Sequence, residues 1–250
     1  MKPPPFEYHA PTSVDEACAL LGSLEDAKVL AGGQSLIPLL NFRLARPAHL
    51  VDINRASGLD RVYERDHGVA IQALARQADV EDSDLVARIC PLLRDAVRLV
   101  AHRVIRNRGT VCGSIAHADP ASELPAALLA LGGHVVARST RGERTIPAGE
   151  LFTGVFETAL APDELLVEAW FPASRAPAVI LEESRRHGDF ALAGVVRAGE
   201  RLVLFGVAPT PGLVDPRDPA QGLQPSGDLE ATPDFRRHLV RVLTERAFAA

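Results

Sequence analysis

The chain has 250 residues and 26.7 kDa, with 47% apolar and 24% charged residues, enough for one large or two small domains around a sizeable core. A formal net charge of −5 and a pI near 5.9 argue against nucleic acid as the main partner. No apolar run reaches the ~18–20 residues of a membrane span, and the opening Met-Lys-Pro-Pro-Pro-Phe lacks the apolar stretch of a secretory signal.

The first helix starts at Ser13-Val14-Asp15-Glu16, which has the S-x-x-E spacing of a capping box. Ala17, Leu20 and Leu21 supply its apolar face, and Gly22 is expected to stop it. Lys28 to Ala31 reads as a strand that runs into Gly32-Gly33 and then a helix-like segment, Ser35 to Leu44. His49 to Ile53 and Val69 to Ala73 read as further strands. Pro91 fits the first turn of a helix carrying Leu92, Leu93, Val97 and Val100 on one stripe. The apolar pattern is lost from Arg103 to Gly113. It returns in a helix from Glu123 to Leu131 that ends at Gly132-Gly133.

Strands follow at His134 to Arg138 and Glu164 to Phe171, with a break at Pro172. Ala178 to Ser184 and Val195 to Val207 read as sheet, with a hairpin turn at Ala198-Gly199-Glu200. Pro209 to Pro233 is rich in Pro, Gly and Asp and reads as loop. The last helix, about Asp234 to Phe248, places Leu239, Val242 and Leu243 on one side and its arginines mostly on a solvated face.

Two small-residue loops are candidate sites. In Ala31-Gly32-Gly33-Gln34-Ser35-Leu36, glycines follow a strand, so backbone N–H groups can approach a phosphate closely, with the Ser35 hydroxyl as a further donor. Thr110-Val111-Cys112-Gly113-Ser114 repeats that chemistry, preceded by Arg103, Arg106 and Arg108, whose guanidinium forks suit phosphate oxygens. Each loop taken alone reads more readily as an ordinary tight turn without a ligand, and a basic run is more often a solvated face. The chain has no P-loop, no G-x-G-x-x-G, no G-x-S-x-G, no H-E-x-x-H and no C-x-x-C. Cys18, Cys90 and Cys112 are far apart and odd in number, suiting neither a disulfide framework nor a metal cage, so a reducing cytoplasm is expected. His117, His187, Cys18 and Cys90 read as ordinary loop, surface or core residues.

Longer stretches carry a resemblance. Ala31 to Pro47 with Leu50-Val51-Asp52-Ile53, and Ile105 to Pro125, resemble the first and second FAD loops of the flavoprotein subunits of carbon monoxide and xanthine dehydrogenases. Ser184 to Gly194 resembles the start of that family's C-terminal domain, and Phe235 to Ala247 its last helix. The resemblance covers nearly the whole chain, with all four stretches in order. It implies an α+β protein with two α/β FAD-binding subdomains of the vanillyl-alcohol-oxidase type, at 1–54 and 55–173, and a shortened C-terminal α+β domain at 174–250.

It further implies FAD as cofactor and a large molybdopterin-binding subunit and a small [2Fe–2S] subunit as partners, in a heterotrimer or its dimer. Electrons would pass from the clusters through FAD to NAD, a quinone or oxygen. The site residues implied are Ala31, Gly32, Gly33, Gln34, Ser35 and Leu36 on one side of the pyrophosphate and Thr110, Val111, Cys112, Gly113 and Ser114 on the other. Glu123 is implied near the adenosine half, Leu166 behind the flavin end and Phe190 against the ring system. The family commonly has glycine and asparagine where this chain has Cys112 and Ser114, so Cys112 is expected to crowd the phosphates and Cys112→Gly to be tolerated. Two other readings are a stand-alone FAD-dependent oxidoreductase acting directly on a small molecule and a scaffold with degenerate flavin loops.

Overall fold

A computed structural model describes residues 1–174 and 177–250. Its first part runs β1 (Glu7–His9), α1 (Val14–Ser23), β2 (Ala27–Leu30), α2 (Leu36–Asn41) and β3 (His49–Asp52), and the strands form a parallel sheet in the order β1-β3-β2. Parallel neighbours need crossovers, and α1 and α2 supply them. Ser13 Oγ caps α1 by accepting from the Glu16 amide at 3.2 Å. The Glu16 carboxylate does not close the expected box on Ser13. It accepts instead from the Thr12 amide, 2.8 Å, and the Thr12 hydroxyl, 3.1 Å. Gly22 does not end the helix but lies within it; the chain leaves at Leu24 in an extended conformation. The segment expected to be helical from Ser35 to Leu44 is helical only to Asn41, and Arg43 takes a left-handed φ of 59° soon after.

The second part holds β4 (Val62–Arg65), β5 (Gly68–Gln72), α3 (Gln77–Asp82), α4 (Asp84–Ile89), α5 (Pro91–Leu99), α6 (Arg103–Arg106), α7 (Val111–His117), α8 (Glu123–Leu131), β6 (His134–Ser139), β7 (Gly142–Pro147), α9 (Ala148–Leu151), β8 (Phe152–Gly154), β9 (Glu157–Thr158) and β10 (Leu165–Pro172). Its main sheet is antiparallel, in the order β4-β5-β10-β6-β7, with an irregularity between Leu166 and Glu168. Helices α5, α7 and α8 bury Leu92, Leu93, Val111, Ile115, Leu124 and Leu128 in the same core as Ile71, Val135 and Phe171 of this sheet.

The stretch from Arg103 to Gly113 contradicts its unpatterned reading, because it forms α6 and the start of α7. A buried ion pair anchors it: Arg106 donates to Glu81 at 2.9 Å and to the Val100 carbonyl at 2.8 Å. Val100 lies beyond α5 rather than on its stripe.

The third part has β11 (Ala178–Glu183), β12 (Ala193–Ala198), β13 (Arg201–Phe205), β14 (Gly212–Val214) and α10 (Pro233–Ala249). The strands form an antiparallel sheet in sequence order. β14 corrects the expectation that 209–233 is loop throughout. Period-two alternation gives the sheet two buried faces. Val196, Val203 and Phe205 join the central core, whereas Val195, Leu202 and Leu204 pack with Leu239, Val240 and Leu243 of α10. The arginines of α10 are not all solvated. Arg236 is buried, donating to the Leu192 carbonyl at 2.5 Å, the Gly206 carbonyl at 3.1 Å and Asp228 at 2.5 Å.

Candidate functional site

The loop after β2 and the start of α7 meet. A Cβ built on Gly32 would lie 2.3 Å from the Arg108 carbonyl oxygen and 2.8 Å from the Gly109 Cα, so only glycine permits this contact. Gly33 has φ +74°, where an L side chain is strained. The strand–turn–helix geometry leaves donors over. Among the described residues, the amides of Gly32, Gly33, Gln34 and Ser35 find no acceptor within the chain, and neither does that of Cys112, whereas the antiparallel bridge of Thr110 with Arg76 turns the Val111 amide toward the Ala75 carbonyl. The Ser35 hydroxyl caps nothing. Thr110 Oγ1 already accepts from the Gly113 amide at 3.0 Å, so Gly113 is occupied as the capped position of α7. A Cβ on Gly113 would fall 2.5 Å from that hydroxyl, so a side chain there disturbs the cap first.

A polar strap that sequence reading missed holds the two loops together. Tyr8 donates to Asp52 at 2.6 Å. Asp52 accepts from the Asn54 amide at 3.0 Å and its side chain at 2.6 Å. Asn54 Nδ2 donates to the Ala31 carbonyl at 2.8 Å. Arg76 then donates to Asn54 Oδ1 at 2.7 Å and to the Arg108 carbonyl at 2.8 Å. Burial pushes the Asp52 carboxyl up, and the hydrogen bonds from Tyr8 and Asn54 outweigh it, so the group stays ionised below the ordinary carboxylate range. Burial and then the nearby Arg108 charge lower the pKa of Arg76, so this corner carries two guanidinium groups close together. Asp52 and Asn54 lie in or beside a stretch that carries the resemblance, and Arg76 stands just before α3; nothing in the sequence links them across these separations.

The other expected residues are placed as follows. Gln34 folds back, its side-chain amide donating to the Gly32 carbonyl at 3.1 Å, and Leu36 opens α2. Val111 and Cys112 turn their side chains into the core. Cys112 Sγ donates to the Ile71 carbonyl at 3.3 Å, and burial raises its thiol far above the ordinary range. The Cys112 sulfur thus lies in the core against β5 and not in the loop. Ser114 pairs with Ser122 at 2.9 Å. Of the arginines expected to serve the second loop, Arg103 and Arg106 are committed to Glu81, and Arg103 also to Asp82, while Arg108 is exposed.

Glu123 is buried at the start of α8. Burial, reinforced by the nearby Glu182 charge, pushes its carboxyl up to about 8. Burial likewise pushes Glu182 up to about 7. Leu166 packs in the same core as Val111 and Cys112. Phe190 is 71% exposed in the loop before β12. That loop lies against α6: Gly188, at φ +88°, passes so close to His102 that a Cβ would fall 2.6 Å from its ring. His187 stands with its ring centroid 5.7 Å from that of His102. His117 lies beside Phe156, 4.9 Å between ring centroids, and burial lowers its pKa. Cys18 and Cys90 are free and buried.

Two apposed loops with unpaired amides, a free hydroxyl and adjacent guanidinium groups fit the negative oxygens of a diphosphate. Comparison with known proteins gives this chemistry a family. The family described as the FAD binding domain in molybdopterin dehydrogenase matches residues 4–174. The alpha subunit of the 6-hydroxypseudooxynicotine dehydrogenase complex of Paenarthrobacter nicotinovorans is 40% identical, covering 100% of this chain and 95% of its own. That alignment spans 281 positions against this chain's 250 residues, so the relative has segments with no counterpart here. The carbon monoxide dehydrogenase medium chain of Hydrogenophaga pseudoflava is 42% identical over 84% of this chain and 77% of its own. A solved structure of carbon monoxide dehydrogenase from the same organism, lacking the Mo-pyranopterin moiety, superposes with a TM-score of 0.94 at 37% identity, covering 100% of this chain and 98% of that one. The chain therefore belongs to the FAD-binding medium subunits of the molybdopterin dehydrogenases and is an oxidoreductase component whose cofactor is FAD.

Proposed function

We propose that the chain is the electron-transfer subunit of a cytoplasmic molybdenum hydroxylase, taking electrons from the [2Fe–2S] clusters of a small partner subunit and delivering them to an external acceptor. The substrate would be hydroxylated in a large molybdopterin-binding subunit, the three chains forming a heterotrimer or its dimer. The observation that carries this reading is the pair of apposed loops whose backbone donors are left unpaired. The amides from Gly32 to Ser35 and that of Cys112 would hold the pyrophosphate, with Ser35 as side-chain donor and Val111 anchoring the second loop. Ala31 and Leu36 flank the first set. Thr110 and Gly113 rigidify the second through the cap, and Ser114 supports it through Ser122.

Glu123, held neutral by burial, would meet the adenosine half as a hydrogen-bonding carboxylic acid. Leu166 would back the flavin end from the core, and Phe190 would cover the ring from its exposed loop. Subdomains at 1–54 and 55–173 supply one loop each, and the domain at 174–250, shortened relative to the family, supplies the Phe190 loop. Bound FAD supplies the redox chemistry, while the chain positions it and excludes competing reactions. A [2Fe–2S] cluster takes four protein ligands, and the three cysteines here are buried in separate places, which supports clusters held by another chain.

The test is purification from the native host with metal and flavin analysis. Copurification with molybdenum, iron and one FAD per chain, and flavin bleaching when the complex receives its substrate, is the expected result. A yellow chain that purifies alone and is bleached directly by a small molecule would replace this reading with the stand-alone oxidoreductase. A chain that takes up no FAD even with its partners would leave only a scaffold.

A further inference from the structure

The parallel pairing of β1 with β3 sets Glu7 opposite His49, and the pleat returns His9 to the same face two residues on. His9 Nε2 lies 3.2 Å from His49 Nδ1, and Glu7 Oε2 lies 3.6 Å from the same nitrogen. All three donor atoms fall within 4.8 Å of one another. The imidazoles are tilted by 47° and meet through these nitrogens rather than by parallel stacking.

Zinc bonds of about 2.0–2.2 Å in a tetrahedron place neighbouring donor atoms about 3.3–3.6 Å apart. The 3.2 and 3.6 Å separations about His49 Nδ1 match those edges, and the Glu7 and His9 donors lie within 4.8 Å of one another. Two imidazoles and one carboxylate are a borderline donor set, preferred by zinc, copper or nickel over magnesium or calcium, which favour all-oxygen shells. The cluster lies at the start of β3, whereas Asp52, which anchors the flavin-loop strap, lies at its end.

We propose that Glu7, His9 and His49 form a binding site for a zinc-class divalent ion, which staples the short edge strand β1 to β3 and keeps a fourth coordination position for water. Bound metal would join segments that are otherwise tied by a few backbone bonds and the Tyr8 to Asp52 contact. Its effect would be on the anchoring of the N-terminal strand, not on the flavin.

The flavin-loaded full-length chain, stripped with a chelator and dialysed, is titrated with zinc chloride against a chromophoric competitor, and separately with cobalt(II). The expected result is one zinc per chain, the intense visible bands of four-coordinate cobalt, and slowed amide exchange at residues 7–9. His9→Ala and His49→Ala should each weaken zinc binding at least about tenfold, and Glu7→Gln should weaken it less. His238→Ala, on the exposed side of α10, should change nothing. Circular dichroism and unchanged flavin content establish that the variants are folded. Absence of stoichiometric zinc uptake by the wild-type chain would overturn the proposal. So would equal affinity in a folded His9→Ala/His49→Ala double variant.

Discussion

Gly32 makes the flavin loops a problem of atomic fit. A Cβ there has nowhere to go, because the obstacle 2.3 Å away is the backbone carbonyl of Arg108 and not a side chain that can swing aside. Gly32→Ala is expected to push the loops apart and lower flavin content per chain severely, with circular dichroism nearly unchanged. Ser114→Ala should cost far less, about 0.5–1.5 kcal/mol of binding at most, since only one neutral hydrogen bond to Ser122 is lost. Flavin absorbance per chain after gel filtration distinguishes the two. Cys112→Gly reverses its sequence-based expectation. It deletes a buried side chain and places glycine inside α7, so it should destabilise the fold by on the order of 1–3 kcal/mol without relieving any crowding at the phosphates. Denaturant melts of wild type and variant measure this. The glycines were legible in the sequence as turn residues. Their reason was not, because the atom that forbids a Cβ on Gly32 comes from the other loop.

At the scale of elements, α8 and β6 lay within a residue or two of the hydrophobic pattern, whereas β1, β4, α3, α4, β7, α9, β8 and β9 were not anticipated. The failures share a cause. Helix α7 opens with Val111, Cys112, Gly113, Ser114 and Ile115, none a strong helix former, and stands on its Thr110 cap and its buried face. Helix α6 stands on the ion pairs of Arg103 and Arg106. Tertiary contacts of this kind leave no local period.

The junction of α8 with β11 also carries a pH dependence. Glu123 and Glu182 keep their protons up to about 8 and about 7 in the folded chain, whereas unfolded glutamates lose them near about 4.3. The unfolded state therefore binds fewer protons between these limits. The contribution of the pair is fully present below the unfolded value and is lost as pH rises through about 7 to 8. Glu123→Gln should match wild type near pH 5 and exceed it by on the order of 1–3 kcal/mol near pH 8. Chemical denaturation across that range is the measurement; equal slopes in both proteins would remove the burial argument.

At the scale of the whole molecule, the antiparallel sheet of the second part and the parallel sheet of the first were each visible as α/β units, and the third part as sheet followed by helix. Their mutual attachment was not visible. It rests on side chains such as Arg76, which donates to Asn54 of the first part, and Arg201 of the third part, which donates to the Leu129 carbonyl of the second. Nor did the pattern reveal that β12 and β13 are apolar on both faces because they lie between α10 and the central core.

The contact of Gly32 with Arg108 and Gly109 sets an order of events in time. The loops belong to segments separated by all of β3, β4, β5 and α3 to α6. Closing so long a stretch of chain is entropically costly and slow compared with forming a local helix. The phosphate cradle should therefore be among the late structures to mature, and the cofactor should capture a chain that has already collapsed. In refolding from denaturant with FAD present, far-ultraviolet ellipticity should recover first, and quenching of flavin fluorescence should lag behind it. Simultaneous recovery of both signals would mean that the nucleotide meets one loop before the other arrives.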